Sequence, residues 1–252
     1  MSIITDPLFY LLAIPAITIL GLGKGGFSGV GMMSAPMMAL AIPPLQAAAI
    51  LQPILLVQDA ISAFVYRRDY DAWNLKVLLA GGTLGVGAAW FLATWLTDSH
   101  VRIMVGAIGV AFVLYTWLAR VPAEPKKPRA AAGVFWGTIT GITSTLAQAG
   151  APPFQVFVLP QRLPKTTLVG TTIIFYTALN WMKLGAYSAL GQFTLETLLT
   201  SALLLPFAIA TNVFGIWLVR RVPHETFYKI AYALMFLISL ELIRSGVLGL
   251  LS

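Results

Sequence analysis

Two stretches decide how this chain is read: GLGKGGFSGVG at residues 21–31 and TSTLAQAGAPP at 143–153. Each breaks an apolar run with glycine, proline or hydroxyl residues, and they occupy corresponding places in the two halves of the sequence. A helix broken at membrane depth leaves backbone N–H groups that must face protein, water or a ligand. Helix N-termini carry partial positive charge, so two breaks facing one another offer a cradle to an anion. Paired interruptions of this kind are the best sequence pointer to the binding site of a transporter.

The composition around them demands a bilayer. Of 252 residues 58% are hydrophobic and 10% charged, with a mean hydropathy of +0.85, whereas soluble domains run near a quarter charged. A soluble fold of this length could not cover so much apolar surface. Six segments, roughly 45–66, 75–97, 101–119, 166–188, 195–219 and 227–248, are long enough to cross, since a ~30 Å hydrocarbon layer requires about 20 residues. Four shorter ones, about 8–22, 30–42, 131–147 and 152–160, form two pairs around the breaks. Residues 8–20 have the apolar core of a signal peptide, but no basic residue precedes them and no convincing cleavage site follows. They are therefore expected to stay as a membrane segment.

Several function classes fall away. Without cysteine there are no disulfides, thiol nucleophiles or thiolate metal sites. His100 and His224 both stand at segment ends, so no metal and no cofactor is expected. HExxH and GxSxG are absent, which argues against an enzyme. GLGKGG (21–26) fits GxGxxG formally, but its flanks are membrane segments rather than a βαβ unit, and no Lys-Ser/Thr pair follows. The net charge of +7 sits in short loops between apolar spans, as membrane orientation rather than nucleic acid requires.

Those loops orient the chain. Arg67, Arg68 and Lys76 flank one, and Arg120, Lys126, Lys127 and Arg129 fill the linker VPAEPKKPR (121–129). Arg162 and Lys165 mark a third, and Arg220, Arg221 and Lys229 a fourth. Placing all four in the cytoplasm puts twelve of the sixteen basic residues inside, the exceptions being Lys24, Arg102, Lys183 and Arg244. The first set of three spans then starts outside and the second starts inside. A shift of about 120 residues also lays PPLQAAAI (43–50) near LPKTTLVG (163–170) and LKVLL (75–79) over LETLL (195–199). The expectation is an all-α polytopic membrane protein with an inverted-topology repeat. Residues 1–120 and 131–252 are the halves, joined by a cytoplasmic linker at 121–130, each half a broken or re-entrant helical hairpin plus three transmembrane helices.

Polar residues inside the spans locate the chemistry. Lys24 lies within a break, where a cation could meet an anion or reach the interface by snorkelling. Ser28, Thr143, Ser144 and Thr145 could add hydroxyl donors. Gln52, Asp59 and Ser62 share one helical face, as do Thr172, Tyr176, Asn180 and Lys183, which reads as the lining of a polar pathway or as hydrogen bonding between helices. Asp59 is the one carboxylate deep in a span; proton coupling, a cation site and a structural partner are its open roles. By the repeat shift it falls within one position of Asn180. Lys183 is expected near the outer end, able to snorkel and at a different depth from Asp59. Gly21, Gly25 and Gly29, Gly133, Gly137 and Gly141, and Gly81 with Gly85 recur every four residues, a spacing that lets helices pack closely; for Gly81 and Gly85 packing is the expected role. Faces of this kind also permit a homodimer without requiring one.

Beyond these patterns the residues resemble the TauE/SafE sulfite-exporter family. The resemblance rests on GLGKGGFSGVGMMSAP (21–36) followed by IPPLQAAA (42–49), and on TGITSTLAQAGAPPFQVFVLP (140–160) followed by QRLPKTTLVGTT (161–172). It implies a multi-pass carrier of the bacterial inner membrane for sulfite, sulfoacetate or related organosulfonates. It also implies that Lys24, Gly25, Gly26, Ser28 and Gly29 face Gln148, Gly150, Pro152 and Pro153 across the anion. Together with the polar stripes, the expected site is these residues with Gln52, Thr143, Ser144, Thr172 and Asn180, and Asp59 for protons. The expected partners are a small anion, protons if transport is coupled, and the bilayer, with no nucleic acid. An anion channel and a membrane scaffold without transport are the alternatives that the residues alone leave open.

Overall fold

A computed structural model describes residues 3–25, 30–118, 125, 127–218 and 224–251; these form helices and turns, with no strand among them. The element order repeats. Helix α1 (Pro7–Gly25) is followed by a 3-10 turn (Val30–Met33) and the short α2 (Ser34–Met38). Then come α3 (Pro44–Tyr66), α4 (Ala72–Ala93) and α5 (Asp98–Leu118). Helix α6 (Ala130–Ala147), the short α7 (Ala151–Val158) with a 3-10 turn (Leu159–Gln161), and α8 (Lys165–Ala189), α9 (Leu195–Leu218) and α10 (His224–Leu251) follow the same plan. Of the expected linker, residues 119–124 and 126 lie outside the described residues, and 125 and 127–129 are not helical.

Local sequence sets these boundaries. Pro43 and Pro44 open α3 and Pro164 precedes α8, at positions where proline costs no helical hydrogen bond. Asp71 caps α4, its carboxylate accepting from the Asn74 N–H at 2.7 Å. Helix α6 stops where Gln148 turns left-handed, and Pro152 and Pro153 fill the first turn of α7.

Six helical stretches are long and apolar enough to cross a membrane: Pro7–Lys24, Pro44–Tyr66, Ala72–Ala93, Asp98–Leu118, Leu195–Gly215 and Tyr232–Leu251. Their number matches the expectation, but one member is exchanged. Helix α1, expected as a short piece over 8–22, qualifies at 19 residues. Helix α8, expected to cross over 166–188, is 25 residues long but too polar to qualify. Its buried residues include Thr171, Asn180 and Lys183, which face protein. Large apolar residues such as Leu84, Leu203, Val213 and Leu237 are exposed, while Gln52, Asp59, Asn180 and Lys183 are buried. Polar inside and apolar outside is the arrangement that lipid demands.

Glycine seams tie the halves together. On α4 and α6, a Cβ at Gly81 would stand 2.1 Å from the Val134 carbonyl oxygen and one at Gly85 2.2 Å from that of Thr138. Gly137 and Gly141 meet the carbonyls of Leu78 and Gly82 in return, each at 2.5 Å from the added atom. Backbones therefore touch, as small-residue spacing every four positions allows. The second seam joins α1 to α9, where Gly21 abuts Thr211 and Asn212, and Gly215 abuts Gly21 and Leu22. Each seam pairs the opening helix of one half with the fourth element type of the other, so α3 and α8 cross between them.

Gly85→Leu should destabilise the fold by about 3 kcal/mol or more, because the clash is with backbone that cannot step aside. Gly87→Leu and Gly185→Leu, where an added atom meets nothing within 4 Å, should leave stability unchanged. Thermal unfolding of the three purified variants in detergent checks this, and equal midpoints would rule out the seam.

Candidate anion site between the helix breaks

The two breaks lie against α3 and α8 around a cavity of about 400 Å³. At the second break Gln148 adopts φ 54° and ψ 19°, its N–H returning to the Ser144 carbonyl at 3.0 Å. A left-handed conformation is glycine's province, and a glutamine held there signals a side chain with a task. Its amide donates to the Gln52 Oε1 at 3.0 Å and to the Ala48 carbonyl at 3.3 Å, and its Oε1 accepts from the Lys183 ammonium at 2.5 Å.

At the first break Lys24, one residue from the end of α1, donates to Asp59 on α3. The Lys24 side chain is 19% exposed and lines the cavity, while Asp59 behind it is 1% exposed. Lys24 therefore does not snorkel to an interface. Asn180 of α8 holds the other carboxylate oxygen of Asp59 through its Nδ2 at 2.5 Å, and its backbone carbonyl accepts from Gln52 Nε2 at 2.6 Å. The chain of contacts is continuous from Lys24 through Asp59, Asn180, Gln52 and Gln148 to Lys183.

Lys183 departs from expectation. It is fully buried rather than snorkelling outward, because the end of α6 packs over it. Besides Gln148 it donates to the Ser144 hydroxyl at 3.2 Å and to the Ser144 carbonyl at 3.3 Å. Among the described residues it makes no ion pair. Of the two lysines only Lys24 reaches the carboxylate of Asp59; Lys183 is held by the dipoles of Gln148 and Ser144 alone. The two lysine contacts also have the same form. Lys24 meets Asp59 and Gln148 meets Lys183 each across 35 residues, and a shift of 124 carries one pair onto the other.

Of the expected site residues, Lys24, Ser144, Gln148, Thr172 and Asn180 line the cavity together, with Asp59 and Gln52 behind them. Thr143 does not join them, since its hydroxyl donates to carbonyls of its own helix at Ile139 and Thr140. Gly150 is packed against Ser144 and Thr140, and Pro152 and Pro153 are buried in α7 away from the cavity. Gly25 ends α1, and Gly26, Ser28 and Gly29 lie outside the described residues. Missed in the sequence were Ala151, Phe154, Gln155 and Val158 of α7, which line the cavity at helical spacings of three, four and seven.

A helical bundle with an apolar exterior, six helices fit to cross the bilayer and a charged cavity at its breaks is a multi-pass membrane protein. The family of sulfite exporter TauE/SafE proteins matches residues 13–242, and the chain belongs to that family. The family comprises membrane transporters of sulfite and related sulfur anions, not enzymes. Comparison with curated proteins and with solved structures found no match.

Asp59→Asn should destabilise the protein by about 2–3 kcal/mol, because it strands the Lys24 ammonium against a neutral amide. Adding Lys24→Met should recover most of that loss. A double-mutant cycle in thermal unfolding reads the coupling; additive effects would mean that the contact contributes nothing.

Proposed function

We propose that this chain is an alternating-access carrier of sulfite or organosulfonates such as sulfoacetate in the bacterial inner membrane. The observation that carries this is Lys24, a cation that lines the cavity together with Asn180, Gln148 and Ser144. An anion entering beside Lys24, Asn180, Gln148 and Ser144 would be held by charge-assisted hydrogen bonds. The repeated element order, the two seams and the matched lysine contacts support an inverted repeat of residues 1–120 and 131–252 about a cytoplasmic linker at 121–130. Rocking of one half against the other would open the site to each side in turn.

Proton coupling follows from the competition for Lys24. Substrate that takes the ammonium leaves Asp59, sealed from water, with its charge uncompensated except by Asn180. A proton taken up with the substrate would compensate that charge. One anion and one proton then cross together, and Asp59 ionises again when the anion leaves and Lys24 returns.

Counterflow in proteoliposomes tests the carrier. Saturable exchange of sulfite or a sulfonate is expected, with Lys24→Ala weakening substrate affinity by about 10- to 100-fold, the worth of a hydrogen bond to a charged group. In Asp59→Asn protein, exchange should persist while a pH gradient no longer concentrates substrate. Anion conductance without counterflow would make the protein a channel, and undiminished accumulation would remove Asp59 from coupling.

A further inference from the structure

Helix α10 carries two stripes of one period on opposite faces. Met235, Ser239, Leu242 and Gly246 are buried and face α5, where an added Cβ at Gly109 would stand 2.0 Å from the Ser239 hydroxyl and one at Gly246 2.8 Å from the Ser99 carbonyl. On the other side Leu234, Leu237, Glu241, Arg244, Leu248 and Leu251 follow the same alternation of three and four residues, and their side chains are open. That alternation is the seam of a left-handed coiled coil. The inner seam is filled by α5; the outer one has no partner among the described residues. It runs for about 26 Å, close to the thickness of the hydrocarbon layer.

Its middle holds an ion pair. Arg244 donates from Nε and Nη2 to both carboxylate oxygens of Glu241, at 2.8 and 2.7 Å, and the two side chains are 65% and 44% exposed. Asp98 and His100, exposed at the start of α5, mark a membrane boundary, and Gly249 packs against Ser99 at that level. Glu241 lies eight residues further down α10, about 12 Å into the bilayer. Charged groups at such depth almost always face the interior of a bundle. Here the chain itself supplies no interior to face.

We infer that a second copy of this chain covers the outer face of α10, in a two-fold dimer with its axis along the membrane normal. Copies inserted in one orientation bring their α10 helices together in parallel, as this symmetry requires. The face is self-complementary, because it carries one charge of each sign in adjacent layers of the seam, about 4.5 Å apart along the helix. Glu241 of each copy then meets Arg244 of the other, and two lone pairs close into a ring of four charges shielded from lipid. The leucines above and below complete the layers, Leu234 and Leu237 on one side and Leu248 and Leu251 on the other.

The test uses the absence of cysteine from the chain. Leu237→Cys and Leu248→Cys, oxidised in native membranes, should each yield a disulfide-linked dimer. Val213→Cys, on the exposed face of α9, should not. Charge reversal then separates contact between copies from the pair within one helix. Arg244→Glu makes the face wholly acidic and Glu241→Arg wholly basic, so each variant alone should associate at least about tenfold more weakly. Co-expressed with different tags, the acidic and basic variants should pair and purify together, which a pair serving only its own helix would not produce. Cross-linking at Leu237 and Leu248 no greater than at Val213 would overturn the inference. So would variants that each associate as well as the unaltered protein, or a mixture that stays monomeric although thermal unfolding shows both to be folded. Unaltered protein that stays monomeric and retains phosphatidylglycerol through Arg244 would overturn it in favour of a lipid headgroup on this face.

Discussion

The contact between Lys24 and Asp59 constrains everything around it. Neither charge can stand alone at membrane depth, where an unpaired ion costs several kcal/mol. Their attraction fastens the end of α1 to the middle of α3, and Asn180 extends the fastening to α8. The breaks in α1 and α6 are thereby held against the crossing of α3 and α8, and the cavity is the space left between them. A chain of amides then links this pair to Lys183, so a change in the charge of one lysine is felt by the hydrogen bonds of the other.

That constraint could not operate on loosely packed helices. Apolar attraction does not pull helices together in lipid, since lipid tails are as apolar as leucine. The seams at Gly81, Gly85, Gly137 and Gly141, and at Gly21 and Gly215, supply close backbone contact instead. They lie at the flanks of the site rather than in it. The site is therefore framed by rigid packing and lined by groups whose partners can be exchanged, a division of labour suited to binding and release.

Much of this was legible in the residues. Composition declared the membrane, the two broken stretches marked the cavity, and Lys24 and Asp59 stood out as charges in apolar surroundings. The repeat shift of about 120 brought Asp59 within one position of Asn180, and the two do touch where α3 crosses α8, although the matched lysine contacts set Asp59 against Lys183 at a shift of 124. Other features leave no trace in a linear pattern. Lys24 and Asp59 are separated by a helix break and a turn, so no periodicity announces their meeting. Depth was misjudged for Lys183 because closeness to a helix end along the chain says nothing of what packs over it. Thr143 and Ser144 are chemically alike neighbours, and only the phase of α6 decides that one serves its own helix and the other the cavity. Helix α8 looked like a lipid-crossing segment by length, yet its threonines and Asn180 need protein on most sides.

The seam between α1 and α9 has a bearing on how the protein is made. Gly21 finds its backbone partner at Gly215, some 194 residues later in the chain. At ribosomal rates of about 5–20 residues per second, α1 waits on the order of 10–40 s in the bilayer before that partner exists. The ammonium of Lys24 has a much shorter wait, since Asp59 is synthesised within seconds. Electrostatic pairing thus secures the early helix during biogenesis, and tight packing arrives only once α9 has been made.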